Sequence, residues 1–295
     1  MTQFLSALSV GLGSGAIYAL VAIGFVMIFK ATGVISFAQP AFLMSGAIIV
    51  SFLAPVMGFY VGAILGVVAI GVVALLVERA AIRPMIGKAV FIIAIITVGL
   101  DIVLRTIAGM FLGSQPRSVG DPWGTDVSVI GGVVIQHRHV AAFVTAAVIV
   151  IALLLFFRYS SVGLAMRAVA SDQEAAMAQG VSASAIFALS WAMAGALAAV
   201  AGIFAATGGP IGNQLWLVAL IALPAIVIGG FDSIGGAIIG GLTIGIAQAI
   251  VSTYHNQWFP DLTTNLGPLM PWIIMLAVLL VRPHGLFGTK EVERV

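Results

Sequence analysis

Long apolar runs broken by short polar punctuation set the plan of this chain. No charged residue precedes Lys30, so 5–29 reads as a first membrane span, close to the ~20 apolar residues that a crossing needs. None lies between Lys30 and Glu78, and that interval holds two apolar runs, near 34–53 and 57–77, parted at Pro55 and Gly58. Pro40 falls inside the first of these and removes a backbone donor, which predicts a kink or break there. Further spans follow at 89–112, 139–157, 184–206, 234–254 and 266–281. The run 216–228, which contains Pro224, is short for a full crossing. The longest polar connection, 113–138, carries Pro116, Pro122 and several glycines, and its alternating run 127–135 predicts a small hairpin. The expected fold is all-α: one polytopic helical bundle over 1–295, with about 8–10 spans.

Composition agrees and narrows the function classes. The chain is 62% hydrophobic and only 7% charged. A soluble domain carries about a quarter charged residues, so this one cannot clothe itself in polar surface. It has no cysteine, which excludes disulfides, thiolate metal sites and a Cys nucleophile. The first residues lack the basic segment of a cleaved signal peptide and read as the start of the first span. No hydrophilic block is long enough for a soluble catalytic domain.

One stretch, 158–180, stands apart. It carries Arg158, Arg167, Asp172 and Glu174, and no charge follows until Asp232. Ser171 followed three residues later by Glu174 has the form of a capping box, acids in a first turn suit the helix dipole, and Gly180 suits a left-handed stop. A short, separately capped, water-facing helix between two spans is expected. A docking element and a solvated loop both fit these residues. With this loop placed inside, Lys30, Arg79, Arg83, Lys88, Arg158, Arg167, Arg282, Lys290 and Arg294 all fall inside, and only Arg117 and Arg138 outside. By the positive-inside rule this gives about nine crossings, an external N-terminus and a cytoplasmic tail at 282–295.

Within the spans, Asp101 and Arg105 lie four residues apart on one helix face, in the order that favours an ion pair. They are a lining of a solute path, a clamp on a zwitterion, or a neutralised structural pair near the membrane surface. Gln39, Asn213 and Gln248 are candidates to line a path, Gln39 foremost because it precedes Pro40, where the backbone opens. Gly236/Gly240 and Gly241/Gly245 let helices approach closely, either at a sliding or dimer interface or in packing within one subunit. No catalytic set is expected: His137, His139, His255 and His284 lack metal-ligand spacing, and the first two read as wet interfacial residues. No phosphate loop surrounds Lys30, Lys88 or Lys290, so any ATP must be bound by another chain.

The stretch Glu174-Ala175-Ala176-x-x-x-Gly180 resembles the EAA loop of ABC-importer permeases, without the proline that commonly ends that loop. More specific are GSGAIYALVAIGFVMIF (13–29), GVISFAQPAFLMSGA (33–47), ERAAIRP (78–84), RYSSVGLAMRAVASDQEAAMAQGV (158–181), IGGFDSIGGAIIGGLTIG (228–245) and RPHGLFGTKEVERV (282–295). In this order they resemble the shorter, LivH-like permease of branched-chain amino acid ABC importers, across essentially the whole chain. The resemblance implies a protein of the bacterial inner membrane, paired with a second, LivM-like permease. It implies two cytoplasmic ATPases that bind ATP and Mg, an external solute-binding protein, and no cofactor or nucleic acid on this chain. Arg167, Ser171, Asp172, Glu174, Ala175, Ala176 and Gly180 would then form the coupling helix, within a cytoplasmic loop at 158–183. The family commonly has Asn-Phe-Ala-His-Gly where this chain has Ser36-Phe37-Ala38-Gln39-Pro40, which leaves urea, short amides or other amino acids open as solutes. An ion-coupled secondary transporter using Asp101 is the competing class, and a membrane hydrolase ranks last.

Overall fold

The computed structural model describes residues 1–85, 88–113, 116–212, 214–258, 260–282 and 285–288. It is a polytopic helical bundle of eleven α-helices, with one two-stranded hairpin among the described residues. Seven helices are long and apolar enough to cross a membrane, and two shorter apolar ones, Leu217–Gly229 and Gly267–Val281, accompany them.

Helix α1 (Thr2–Thr32) is the axis of the bundle. Its buried residues run without interruption from Gly15 to Ile28, so it shows no lipid face over that length. Such a helix needs small residues on several sides. A Cβ at Gly15 would stand 2.8 Å from the Cα of Leu242 in α10 (Ile234–Trp258), and one at Gly24 would meet the backbone of Ala194 in α8 (Ala183–Ala206). Helices α3 (Phe59–Val77), α4 (Val90–Leu112) and α5 (His137–Tyr159) have little of their surface covered and form the flanks.

Helix α2 (Gln39–Met57) corrects an expectation. Pro40 does not break a span; it sits in the first turn of one. There its missing N–H costs no helical hydrogen bond, and its fixed φ suits a helix start. The chain before it is non-helical within the bundle. Phe37 N donates to Thr97 Oγ1 at 3.0 Å, and Thr97 lies about 10 Å along α4 from Val90 at ~1.5 Å per residue. A matching dip enters from the opposite face. The Arg105 guanidinium lies 4.1 Å above the ring of Trp216, the residue before α9 (Leu217–Gly229), and Arg105 is again about 10 Å from its end of α4. This is why α9 is short: it starts inside the bundle rather than at its surface.

The two ends of the bundle are distinguished by named contacts. At the Thr2 face, Val134 N donates to Ser6 Oγ, tying α1 to the hairpin of β1 (Val127–Ile130) and β2 (Val133–Gln136), the hairpin expected from the alternating run. At the Lys30 face, Lys30 Nζ donates to Asp232 O at 3.0 Å, and Leu286 N donates to Ile228 O, bringing the tail onto the end of α9. Helix α11 (Met270–Val281) runs alongside α9 and α10.

Candidate functional site

The polar stretch at the Lys30 face folds as two helices, α6 (Ser161–Ser171) and α7 (Gln173–Ala178). Ser160 caps α6, its hydroxyl accepting from Gly163 N at 2.8 Å. Gly163 is required here, since a Cβ would stand 2.7 Å from Phe157 Cα where α6 folds back on the end of α5. The expected Ser171 capping box is not formed. Ser171 is the last residue of α6, and Asp172 caps α7, its Oδ1 accepting from Ala175 N at 2.9 Å. The reason is competition: α6 runs on to Ser171, and the extended backbone of Asp172 places its carboxylate over the next amides. The other end closes as a Schellman motif. Val181 N donates to Ala176 O and Gly180 N to Met177 O, with Gly180 at φ 85°.

One face of this pair is anchored and the other is not. Met166, Val169 and Ala176 are buried, whereas Arg167, Ser171, Asp172, Glu174, Ala175 and Gly180 are exposed. Leu164 and Met177 are exposed too, at 60% and 47%, so the free surface mixes charge with apolar groups.

Behind α7 lies an ion pair that sequence reasoning missed. The chain leaves α3 through one π-helical turn, Glu78–Ile82, and Glu78 is fully buried. Arg83 closes on it, with Nη2–Oε2 at 3.2 Å, and the same nitrogen donates to Ser184 O at 3.1 Å in the first turn of α8. The end of α3 and the exit from α7 therefore share one guanidinium. The only sequence signal was an acid and a base five residues apart; the π turn that brings them together carries no signature of its own.

Of the candidates for a path, Asp101 lies beside the backbone of Ala41, two residues past Gln39, whereas Gln248 lies apart. Asp101 and Arg105 form the expected pair, with Nη2–Oδ2 at 2.7 Å, and the stacking of Arg105 on Trp216 ties that pair to the start of α9. Gln39 is fully enclosed between α1 and α8, its Nε2 lying 2.7 Å from where a Cβ on Gly24 would stand, and neither polar atom of its side chain has a partner. Gln248 accepts from the Tyr18 hydroxyl at 2.8 Å, cross-linking α10 to α1. Asn213 lies outside the described residues.

Four of the five glycines of α10 split between two neighbours in the same chain. Gly236 and Gly240 meet Gly229 and Ala225 of α9, whereas Gly241 and Gly245 meet Ala19 and Gly15 of α1. Consecutive residues on a helix point about 100° apart, so two adjacent small-residue pairs serve two different partners.

At the Thr2 face, α1, α5, α8 and α9 border a half-open cavity of about 240 Å³ lined in part by Ser14, Tyr18, Arg138, His139 and Thr207. The two basic residues are not loose interfacial groups. His139 packs in the space left open at Gly13, and the Arg138 guanidinium fills the space that a Cβ at Gly208 would need.

Residues 7–279 match the family described as the branched-chain amino acid transport system, permease component. The chain is 32% identical to the high-affinity branched-chain amino acid transport system permease protein LivH of Escherichia coli K12, covering 99% of this chain and 98% of that one. It is 31% identical to LivH of Salmonella typhimurium LT2 and 31% identical to BraD of Pseudomonas aeruginosa PAO1, each again covering 99% of this chain and 98% of the relative. A multi-pass helical bundle that matches these transport permeases from end to end is itself a permease rather than an enzyme, and the chain belongs to the branched-chain amino acid transport permease family.

Proposed function

We propose that this permease forms, with a second, LivM-like permease, the translocation path of an ATP-driven ABC importer for branched-chain amino acids. An external binding protein delivers the solute at the Thr2 face, which is the outer face. Two cytoplasmic ATPases, holding ATP and Mg, dock at the Lys30 face. The N-terminus is then outside and the tail cytoplasmic, in the bacterial inner membrane. Of the described Lys and Arg residues outside the pair in α4, only Arg117 and Arg138 fall on the outer side.

The observation that carries this reading is the α6–α7 pair. It is capped by Ser160 and Asp172, stopped by Gly180, anchored on one side and exposed on the other. Exposed Leu164 and Met177 beside Glu174 and Arg167 fit a groove on a partner better than they fit open water. Motion of α7 is passed on by Arg83, which joins the start of α8 to the end of α3. The path alternates between outward- and inward-open states rather than standing open. Asp101, the acid that an ion-coupled carrier would use, already has its charge matched by Arg105, which favours the ATP-driven reading.

The test is reconstitution of the full assembly in liposomes. Leucine uptake should require ATP, both ATPases and the binding protein. Gradient-driven uptake by this chain alone would replace the reading with a secondary transporter, and uptake of urea or short amides in place of leucine would move it to another solute.

A further inference from the structure

We infer that the cavity at the Thr2 face is a binding site within this chain for the solute as a zwitterion, with Arg138 taking its carboxylate. The inference deepens the importer reading and rests on it for the choice of solute. Among the residues that line the cavity, the polar ones are Ser14, Tyr18, Arg138, His139 and Thr207, and none is acidic. Arg138 has no acidic partner among the described residues, where the ion pairs are Glu78–Arg83 and Asp101–Arg105. Its guanidinium lies against Gly208, just past the carboxyl end of α8, and the roughly half unit of negative dipole charge there leaves it a net cation able to take an anion.

The helix ends around the cavity add a field of the right sense. Arg138 and His139 lie in the first turn of α5, whose N-cap residue Gln136 makes no side-chain cap, so the positive end of that dipole opens here. Ala205 and Thr207 lie at the carboxyl end of α8, the negative end of its dipole. The Arg138 guanidinium reaches that end of α8 against Gly208, so a carboxylate bound to it sets the neighbouring ammonium of the same solute against the α8 carbonyl end. The remaining wall is apolar, from Ile17, Ala142, Phe204 and Val218, and receives a branched aliphatic side chain. The volume, about 240 Å³, is below the ~300–1,000 Å³ typical of drug-sized pockets and suits a small solute. The positioning is built in: Gly208, at φ 85°, lets its turn pass directly over the Arg138 guanidinium, and Gly13 seats His139.

The experiment uses the purified full-length chain in lipid nanodiscs and reads its unfolding temperature against added leucine. 4-Methylpentanoate, which lacks the ammonium, and 3-methylbutylamine, which lacks the carboxylate, are the comparison ligands. Leucine should raise the unfolding temperature saturably, and each analogue should do so far more weakly. Arg138→Gln should raise the half-saturating leucine concentration by about tenfold or more, as expected for loss of a charged hydrogen-bond partner, and Arg138→Lys should recover part of it. Val218→Trp, which fills the cavity and leaves Arg138 in place, should abolish the shift. If the variants do not fold, the analogue series on the native chain decides alone. Absence of a leucine shift, an equal shift in Arg138→Gln, or an amine as effective as leucine overturns the inference. ATP-driven uptake by the full assembly without a leucine shift sinks the cavity site only. A zwitterion-selective shift without ATP-driven uptake sinks the importer reading only.

Discussion

The guanidinium of Arg83 lies 3.2 Å from the carboxylate of Glu78, which has no exposed surface. The two partners are not equivalent, because the Arg83 side chain keeps 33% exposure and can turn to water, whereas Glu78 cannot. Arg83→Gln should therefore destabilise more than Glu78→Gln. It leaves a buried carboxylate without its counter-ion, at a cost of about 3–5 kcal/mol. The double variant should be closer to native than Arg83→Gln alone. Unfolding temperatures in detergent check this, and equal losses from the two single variants would count against it.

The cap of α7 separates two residues that sequence alone confuses. Asp172→Ala should cost about 1 kcal/mol in local helix stability and weaken association with the ATPases. Ser171→Ala should change neither, because its hydroxyl does not cap α7. Glu174→Lys keeps the cap but inverts charge on the exposed face and should lower both association and uptake. Co-purification with the ATPases, scored with uptake, reads all three. A Ser171→Ala defect as large as that of Asp172→Ala would restore the capping box.

What the sequence made legible was what depends on near neighbours. Run lengths placed the spans, the Gly180 stop was visible, and Asp101–Arg105 needed only the helical repeat to meet. Pro40 was read as a break because its run continues apolar on both sides. Hydropathy does not report that 33–38 is non-helical, and a proline looks the same in a first turn as in a helix interior. The cap was misplaced by one residue because both Ser171 and Asp172 are good caps and the end of α6 decides between them. The Thr2-face cavity was out of reach altogether. Its lining comes from four helices, and the only trace in sequence is a pair of glycines, Gly13 and Gly208, far from the basic residues they accommodate.

Glycines in α10 should be intolerant by geometry, not by residue type. Gly241→Ala would place its Cβ 2.7 Å from the Cα of Ala19 and 2.6 Å from its N, forcing two backbones apart at a cost of about 1–3 kcal/mol. Gly235 has no neighbouring atom within 4 Å of such a Cβ, so Gly235→Ala should be neutral or stabilising, by up to about 1 kcal/mol. Yield of folded protein and unfolding temperature distinguish the two. Equal tolerance would mean that the α1–α10 contact is looser than the structure shows.

Asp101→Asn should lower folded yield more than Asp101→Asn combined with Arg105→Gln. The single change leaves the Arg105 cation at bilayer depth with its counter-ion gone, the Trp216 ring still beside it. The double change removes both charges. Equal expression of the two would argue that Arg105 finds water or another anion, and would return this pair to the list of candidates for the path.

Gln39 sets stability against function. An amide enclosed with neither polar atom bonded costs about 1–3 kcal/mol relative to a satisfied one. Gln39→Met keeps a similar length and removes the unmet groups, so it should raise the unfolding temperature. If the amide is retained because the 33–38 segment opens onto the path during transport, the same variant should lower uptake or shift its ranking among leucine, isoleucine and valine, with ATPase association intact. A variant that is both more stable and normal in uptake would take Gln39 out of the path. A variant that is less stable would show that its amide has partners in the folded protein.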